Sequence, residues 1–354
     1  MIEPIQQPDL SHLIDIPALE RFINANVPGA PGPVAVQKHT AGFSNETFYV
    51  SRGEQRWVLR RPPRGPLLPT AHDVVREYRF IAALHGRARV PAPAALCEDP
   101  SVIGAPFYLM ERCEGAVLRD SIPAVYDTPA GRARIASEMV DALVELHAVD
   151  WRAAGIAGRD TGYLDRQVAR WSGQWELTRP RTRELPGLDE ITAWLRERVP
   201  QSGRATVVHG DYKLDNVMFE SAEPRLLAIF DWEMATIGDP LADLGYLMNN
   251  WGPAGPVPGY ENRESILARL SDTEGFPSAD ELAAMYEARS GRSMRDVLFY
   301  RALALYKGIV ILEGLYMHYI EGAAANPGAA EFEWRVPMMI QATQSLITSG
   351  GRNG

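Results

Sequence analysis

The apolar positions after residue 33 fall in short runs broken by turn residues, and then give way to longer helical spacing. Runs at 34–39, 46–50 and 56–60 read as antiparallel strands, with a turn at Arg52-Gly53 and a stop at Pro62-Pro63. Residues 71–85 read as a helix with Thr70 as its N-cap, Asp73 in the first turn and Gly86 just past its end. Val74, Tyr78, Ile81 and Leu84 would form its apolar stripe. Two further apolar stretches lie at 94–97 and 107–110. Beyond them the pattern is mainly helical. Thr128-Pro129 opens a helix to about His147, with Ile135, Met139, Leu143 and Leu146 on one face. Another helix fits 188–198, and long helical patterns follow Ser278. Three short apolar runs, 206–208, 217–219 and 226–230, interrupt the helices and surround two polar motifs. Residues 1–33 read as a loop-rich leader, and 150–187 show no clear period.

A chain of 354 residues is long enough for two unequal lobes around a cleft. The predicted organisation is a small β-rich lobe over 1–109 and a larger helical lobe over 110–354, an α+β architecture. The net charge of −9 argues against nucleic acid or an anionic membrane as partner, while leaving room for a locally positive pocket. Two cysteines, Cys97 and Cys113, form neither a disulfide framework nor a metal pair, which suits a reduced compartment. No basic n-region precedes an apolar run at the start, so a cytoplasmic location is expected. The apolar segment 297–320 carries Arg301, Lys307 and Glu313 and reads as a buried helix, not a membrane span.

The strongest chemical signal is His209-Gly210-Asp211-Tyr212-Lys213-Leu214-Asp215-Asn216, held between two apolar runs. Phosphoryl transfer calls for an aspartate to orient the incoming hydroxyl and an asparagine to hold Mg²⁺ beside it. Asp211 and Asn216 have that order and spacing. The run 226–230 then ends at Asp231, a carboxylate suited to a hard cation. Asp239, before Pro240, reads as a helix cap; Asp243 could anchor the 209–216 loop. His147 and His318 read as structural side chains, His318 as part of the core. A P-loop is absent, and seven histidines offer little to a metal hydrolase.

The segments HGDYKLDNVMF and LLAIFDWEMATIGDPLADLGYL resemble the aminoglycoside phosphotransferase and choline kinase-like family, nearest to its branch associated with acyl-CoA dehydrogenases. The resemblance implies a two-lobed protein-kinase-like fold and transfer of the γ-phosphoryl group of ATP, with Mg²⁺, to a small-molecule hydroxyl. It makes Asp211 the base, Asn216 and Asp231 the metal ligands, and His209 a support of the loop. Residues 40–47, with Gly42, Ser44 and Asn45, resemble the hairpin over the phosphates, although only one glycine is present. Arg60 stands where the family has a lysine, with Arg61 as its rival, and Glu77 is its partner. Met110, Glu111 and Cys113 match the linker that meets adenine. The branch points to a hydroxyacyl acceptor, free or as a CoA thioester, and to functional association with an acyl-CoA dehydrogenase. An aminoglycoside phosphotransferase is the second reading, and a non-catalytic nucleotide-binding relative the third. The aromatic residues of 297–319 are expected to line an acyl pocket, and acids between 253 and 301 would suit a polycationic acceptor.

Overall fold

The structure, a computed structural model, describes residues 13–39, 45–63, 73–252, 270–322 and 327–350. It has a two-lobed, kinase-like architecture. A five-stranded antiparallel sheet forms the smaller lobe, in the order β1-β2-β3-β5-β4. Its strands are β1 (Val34–Lys38), β2 (Glu46–Arg52), β3 (Gln55–Arg61), β4 (Pro93–Cys97) and β5 (Phe107–Glu111). The last of these carries the chain across 109–110, where the lobe boundary was expected.

A helix at the start was not foreseen. α1 (Ile16–Asn26) is capped by Asp15, which accepts from the Ala18 amide at 2.9 Å, and has a proline in its first turn. Leu19 and Ile23 pack against Phe48, Leu59, Phe107 and Leu109 on one face of the sheet. Arg52 closes the far end of α1 by donating to the carbonyl of Ile23, which also accepts from the Val27 amide, and to the carbonyl of Val27. The other sheet face packs on α2 (Val74–Leu84), whose N-cap is Asp73; the expected cap Thr70 lies outside the described residues. Because both faces are covered, β3 is buried along most of its length.

In the larger lobe, α3 (Pro129–Ala148) inserts Ile135, Met139, Leu143 and Leu146, all fully buried. α4 (Tyr163–Thr178) fills the stretch that showed no period, and α5 (Leu188–Glu197) follows. α6 (Leu241–Asn249) crosses α8 (Val297–Ile320) closely at Gly245, where a Cβ would stand 2.6 Å from the Tyr300 carbonyl carbon. α7 (Ala279–Ser290) starts with a capping box of Ser278 and Glu281, and α9 (Phe332–Gly350) packs on α8. Among the described residues no helix is long and apolar enough to cross a membrane.

The four short strands between α5 and α6 determine where the chemistry lies. β6 (Thr206–Val208) pairs with β9 (Thr236–Gly238), and β7 (Val217–Phe219) pairs with β8 (Leu226–Ile229). The 209–216 loop joins β6 to β7, and the turn at 230–235 joins β8 to β9. This pairing therefore forces the two connections together.

Candidate active site

His209 fastens one connection to the other. It is fully buried, edge-on to Trp232, with ring centroids 4.7 Å apart. Its Nδ1 accepts from the Asp211 amide at 3.2 Å, so Nε2 carries the hydrogen and donates to the Phe230 carbonyl at 2.8 Å. Gly210 has φ +85°, and a Cβ there would meet the Met234 carbonyl oxygen at 2.8 Å, so the close approach requires glycine.

Asp243, at the start of α6, anchors the same loop. Its two carboxylate oxygens accept from the His209 amide at 2.7 Å and the Gly210 amide at 2.6 Å. His147 reaches it at 3.2 Å and is itself held by the Tyr286 hydroxyl at 2.7 Å. Burial would raise the Asp243 carboxyl, but His147, His209 and the Gly210 amide outweigh it and hold it below its ordinary range. Burial lowers the His147 imidazole, which favours its neutral form. Asp239 was expected to cap α6, but the N-cap is Pro240; Asp239, one residue earlier, accepts from the Leu241 amide at 3.1 Å and from the Tyr300 hydroxyl at 2.9 Å.

Asp211 and Asn216 face each other across the loop. The Asn216 Nδ2 donates to the Asp211 carbonyl at 2.8 Å and to its Oδ2 at 2.6 Å. That leaves the Asn216 Oδ1 without a hydrogen bond among the described residues. Lys213 lies 3.4 Å from Asp211, whose side chain is 22% exposed. Asp231 has φ +66°, the sole non-glycine residue in that region among those described. Such a conformation costs about 1–3 kcal/mol and persists where the surroundings impose it.

Arg60 spans the two lobes. From β3 it donates to Glu77 on α2 at 2.6 Å and, through both terminal nitrogens, to the Asp231 Oδ1 at 3.1 Å. Its Nε is buried without an acceptor. Glu77 is fully buried, and its carboxyl is pushed up to about 7, chiefly by burial, with Arg60 acting the other way. Burial alone would lower the Arg60 guanidinium; Glu77 and Asp231 together raise it instead. Arg76 adds a second tie from α2, donating to the carbonyls of Glu233 and Ala235 just beyond Asp231. Asp243 thus anchors the 209–216 loop as the sequence suggested, whereas Arg76's role has no local motif to mark it.

Strand alternation separates Arg60 from Arg61. Arg61 donates to the carbonyls of Leu13 at 2.7 Å and Ile103 at 3.0 Å, on the side of the sheet that carries α1. Asn45 reaches Glu77 at 3.4 Å, whereas Gly42 and Ser44 lie outside the described residues. Met110 is buried beside Val58 and Tyr108. The Glu111 amide is occupied by the Ala92 carbonyl at 2.8 Å; the Cys113 amide has no backbone partner among the described residues.

Two expectations fail. His318 is outside the core: its side chain is 43% exposed and 3.8 Å from Glu321, because it sits in the last turn of α8. The aromatic residues of α8 do not jointly line a pocket. Phe299, Tyr300 and Tyr306 are buried in the core, where Tyr306 bonds Thr192 at 2.9 Å, since α8 is surrounded by α4, α6 and α9.

The oxygens left open at Asn216 and Asp231 are hard donors, the type magnesium takes. Among the described residues no three His, Cys, Asp or Glu side chains converge on one point, so an ion here would complete its shell with phosphate and water.

Residues 35–287 match the model of the phosphotransferase enzyme family. The chain is 36% identical over 334 residues to chicken acyl-CoA dehydrogenase family member 11, covering 91% of this chain and 42% of that protein. It is 34% identical over 338 residues to the Arabidopsis thaliana probable acyl-CoA dehydrogenase IBR3, covering 89% of this chain and 40% of that one. The chain thus spans about two fifths of the length of these curated relatives. A crystal structure from Ralstonia eutropha, assigned to the aminoglycoside phosphotransferases, superposes with a TM-score of 0.79 at 34% identity, over 95% of this chain and 99% of that one. The GDP complex of aminoglycoside 2'-phosphotransferase-IIIa, at 17% identity and a TM-score of 0.61, shares the fold over 93% of this chain and 99% of that one.

Proposed function

Because the chain belongs to the phosphotransferase enzyme family, as a kinase-type enzyme acting on a small-molecule hydroxyl, we propose that its acceptor is a hydroxyacyl group, free or as its CoA thioester. ATP is the phosphoryl donor in this reading. The observation that carries the chemistry is that the loop bearing the Asp211–Asn216 pair is bonded through His209 and Asn216 to Phe230, next to Asp231, which Arg60 grips from the other lobe.

Asp211 orients the hydroxyl and takes its proton late, as the O–P bond forms, because a carboxylate is far too weak a base to remove it beforehand. The phosphoryl group passes directly to the acceptor, so no phosphoenzyme forms. A magnesium ion held by Asn216 and Asp231 would neutralise charge on the phosphate oxygens. Arg60, kept in place by Glu77, would turn its planar fork from Asp231 to the phosphates when the nucleotide binds. The Cys113 amide and the Glu111 carbonyl are the groups offered to adenine, beside Met110.

The acceptor class follows from the likeness to acyl-CoA dehydrogenase family members, and functional association with such a dehydrogenase belongs to the same proposal. An aminoglycoside acceptor is the competing reading, favoured by the assignment of the Ralstonia eutropha structure. Two of the six described acids between 270 and 301 are engaged elsewhere, Glu281 in the α7 capping box and Glu287 on the Met294 amide. Glu261 and Glu264 lie outside the described residues. The test is ATP consumption with magnesium against hydroxyacyl-CoAs, hydroxy acids, sugars, choline-like alcohols and aminoglycosides. Turnover of hydroxyacyl compounds is expected; turnover confined to aminoglycosides would reverse the assignment.

A further inference from the structure

The apolar helix α8 carries three charged side chains at six-residue steps, Arg301, Lys307 and Glu313. Two of them have evident partners. Glu313 is fully buried and paired with Arg183 at 2.9 Å, and Arg301 donates to Asn249 Oδ1 at 3.1 Å. Lys307 differs. Its Nζ donates to the Gly210 carbonyl at 2.6 Å and lies 5.3 Å from the centre of the Tyr246 ring, with no ion pair within 4 Å among the described residues.

An ammonium has three donors, and half-burying one costs free energy unless an anion or several acceptors meet it. Gly210 immediately precedes Asp211, so Lys307 is held beside the group assigned to the incoming hydroxyl. Its surroundings are mixed: burial lowers its proton affinity, Asp211 and Asp243 raise it, and Arg170 and Lys213 lower it. Arg170 is exposed on α4, its guanidinium 5.0 Å from the Trp171 ring centre, and it has no ion pair among the described residues. Lys213, on the loop itself, already approaches Asp211 at 3.4 Å. Lys307, Arg170 and Lys213 thus share the neighbourhood of Asp211 with Asp243.

We propose that Lys307 is an acceptor-binding residue: its ammonium donates to an oxygen of the acceptor's acyl group, a carboxylate or a thioester carbonyl, while the hydroxyl lies at Asp211. The proposal rests on the kinase reading above and sharpens it, because Lys307, Arg170 and Lys213 disfavour a polycationic acceptor at this end of the cleft.

The experiment is steady-state kinetics of wild type, Lys307→Gln and Lys307→Arg with ATP and four acceptors: a free hydroxy acid, its CoA thioester, and a neutral diol and a cationic amino alcohol of the free acid's size. Gln keeps a donor for the Gly210 carbonyl and removes the charge; Arg restores the charge. Wild type is expected to prefer the two acyl acceptors. Lys307→Gln is expected to raise KM for them about tenfold to a hundredfold, the range for losing a hydrogen bond to a charged group. The KM for ATP should stay put, and Lys307→Arg should recover much of the loss. A stronger effect on the free acid than on the thioester identifies the carboxylate as the partner, and the reverse identifies the carbonyl. An acceptor KM unchanged in Lys307→Gln, or a uniform loss across all four acceptors, would overturn the subsite and leave the kinase reading standing. Wild-type protein that consumes ATP with none of the acceptors would sink both.

Discussion

Asp243 and Asp231 serve neighbouring pieces of backbone in very different surroundings. Asp243 has no exposed surface, and its partners are two main-chain amides and a buried histidine, all within the larger lobe. Asp231 keeps 29% of its side chain exposed, is held in left-handed backbone and is gripped by an arginine from the opposite lobe. The first arrangement has little alternative to itself: withdrawing the carboxylate would leave two amides and an imidazole unpaired away from water. The second can be rearranged, because Arg60 also holds Glu77 and Asp231 has a second oxygen to offer. A fixed loop that carries Asp211 is thus set against an adaptable clamp of Arg60, Glu77 and Asp231 that joins the two lobes.

Removing the brace should give the largest effect. Asp243→Ala is expected to destabilise the chain by about 3–5 kcal/mol, the range for removing one partner of a buried charged pair, and to abolish activity in whatever protein folds. Thermal melting checks this; a Tm close to that of wild type would mean that the loop is held by its flanking strands instead. Asp211→Asn acts on the same loop without loosening it, because the Asn216 amide can still bond the Asp211 carbonyl oxygen. The rate is expected to fall by ~10²–10⁴, the usual contribution of a general base, with ATP affinity little changed. Single-turnover kinetics beside a melting curve separates chemistry from bracing. A kcat within a few-fold of wild type in the folded variant would remove Asp211 as the base.

The two regions were not equally legible beforehand. The 209–216 loop and the Asp231 turn could be read because polar residues of fixed spacing sat between apolar runs, and those runs became β6, β7 and β8. β9, which brings the two connections together, is three residues long and buried at two of them, with no alternation to reveal it. α4 has apolar residues at Leu164, Val168, Trp171 and Trp175 with helical spacing, but its N-cap is Gly162 and its surface holds scattered arginines and Gly173, which hid its start. In α1 the signal was present, an aspartate followed by a proline in the first turn, and was masked by the prolines and glycines just after it. The Arg60 contact to Asp231 and the His147 contact to Asp243 join distant segments, so nothing local could announce them. Arg60 and Arg61 look alike in the sequence until the strand's alternation puts them on opposite faces of the sheet.

Perturbing the clamp should cost less than perturbing the loop. Arg60→Ala removes the donors to both Glu77 and Asp231, and is expected to raise the KM for ATP and lower kcat together, by about tenfold each, as for loss of one charged hydrogen bond. Arg60→Lys keeps the charge and loses the fork, so it should fall between Ala and wild type. Kinetics indistinguishable from wild type in the Ala variant would move the phosphate contact away from Arg60.

The smallest effect is expected from the other half of the clamp, and it shows as pH dependence. Burial pushes the Glu77 carboxyl up to about 7 in the folded chain, with Asp231 and Glu233 adding to the rise and Arg60 opposing it. In the unfolded chain it titrates near 4.5. Between those values the folded state binds the extra proton, so this group favours folding most below about 4.5 and loses that contribution as pH rises through about 7. Glu77→Gln removes the titration while keeping the shape. Wild type should therefore lose stability relative to Glu77→Gln as pH is raised from about 5 to 7.5, by a few degrees in Tm, on the order expected for one group in a chain of this size. The kinetic consequence has the opposite sense. Above 7 the carboxylate holds Arg60 at full strength; below it the pair weakens and Arg60 is left leaning on Asp231, the residue assigned to magnesium. The KM for ATP of wild type should rise as the solution is acidified below 7, and that of Glu77→Gln should stay level over the same range. Parallel melting curves for the two proteins across this window would mean that Arg60 keeps Glu77 ionised throughout. The clamp would then be as fixed as the brace beneath Asp211.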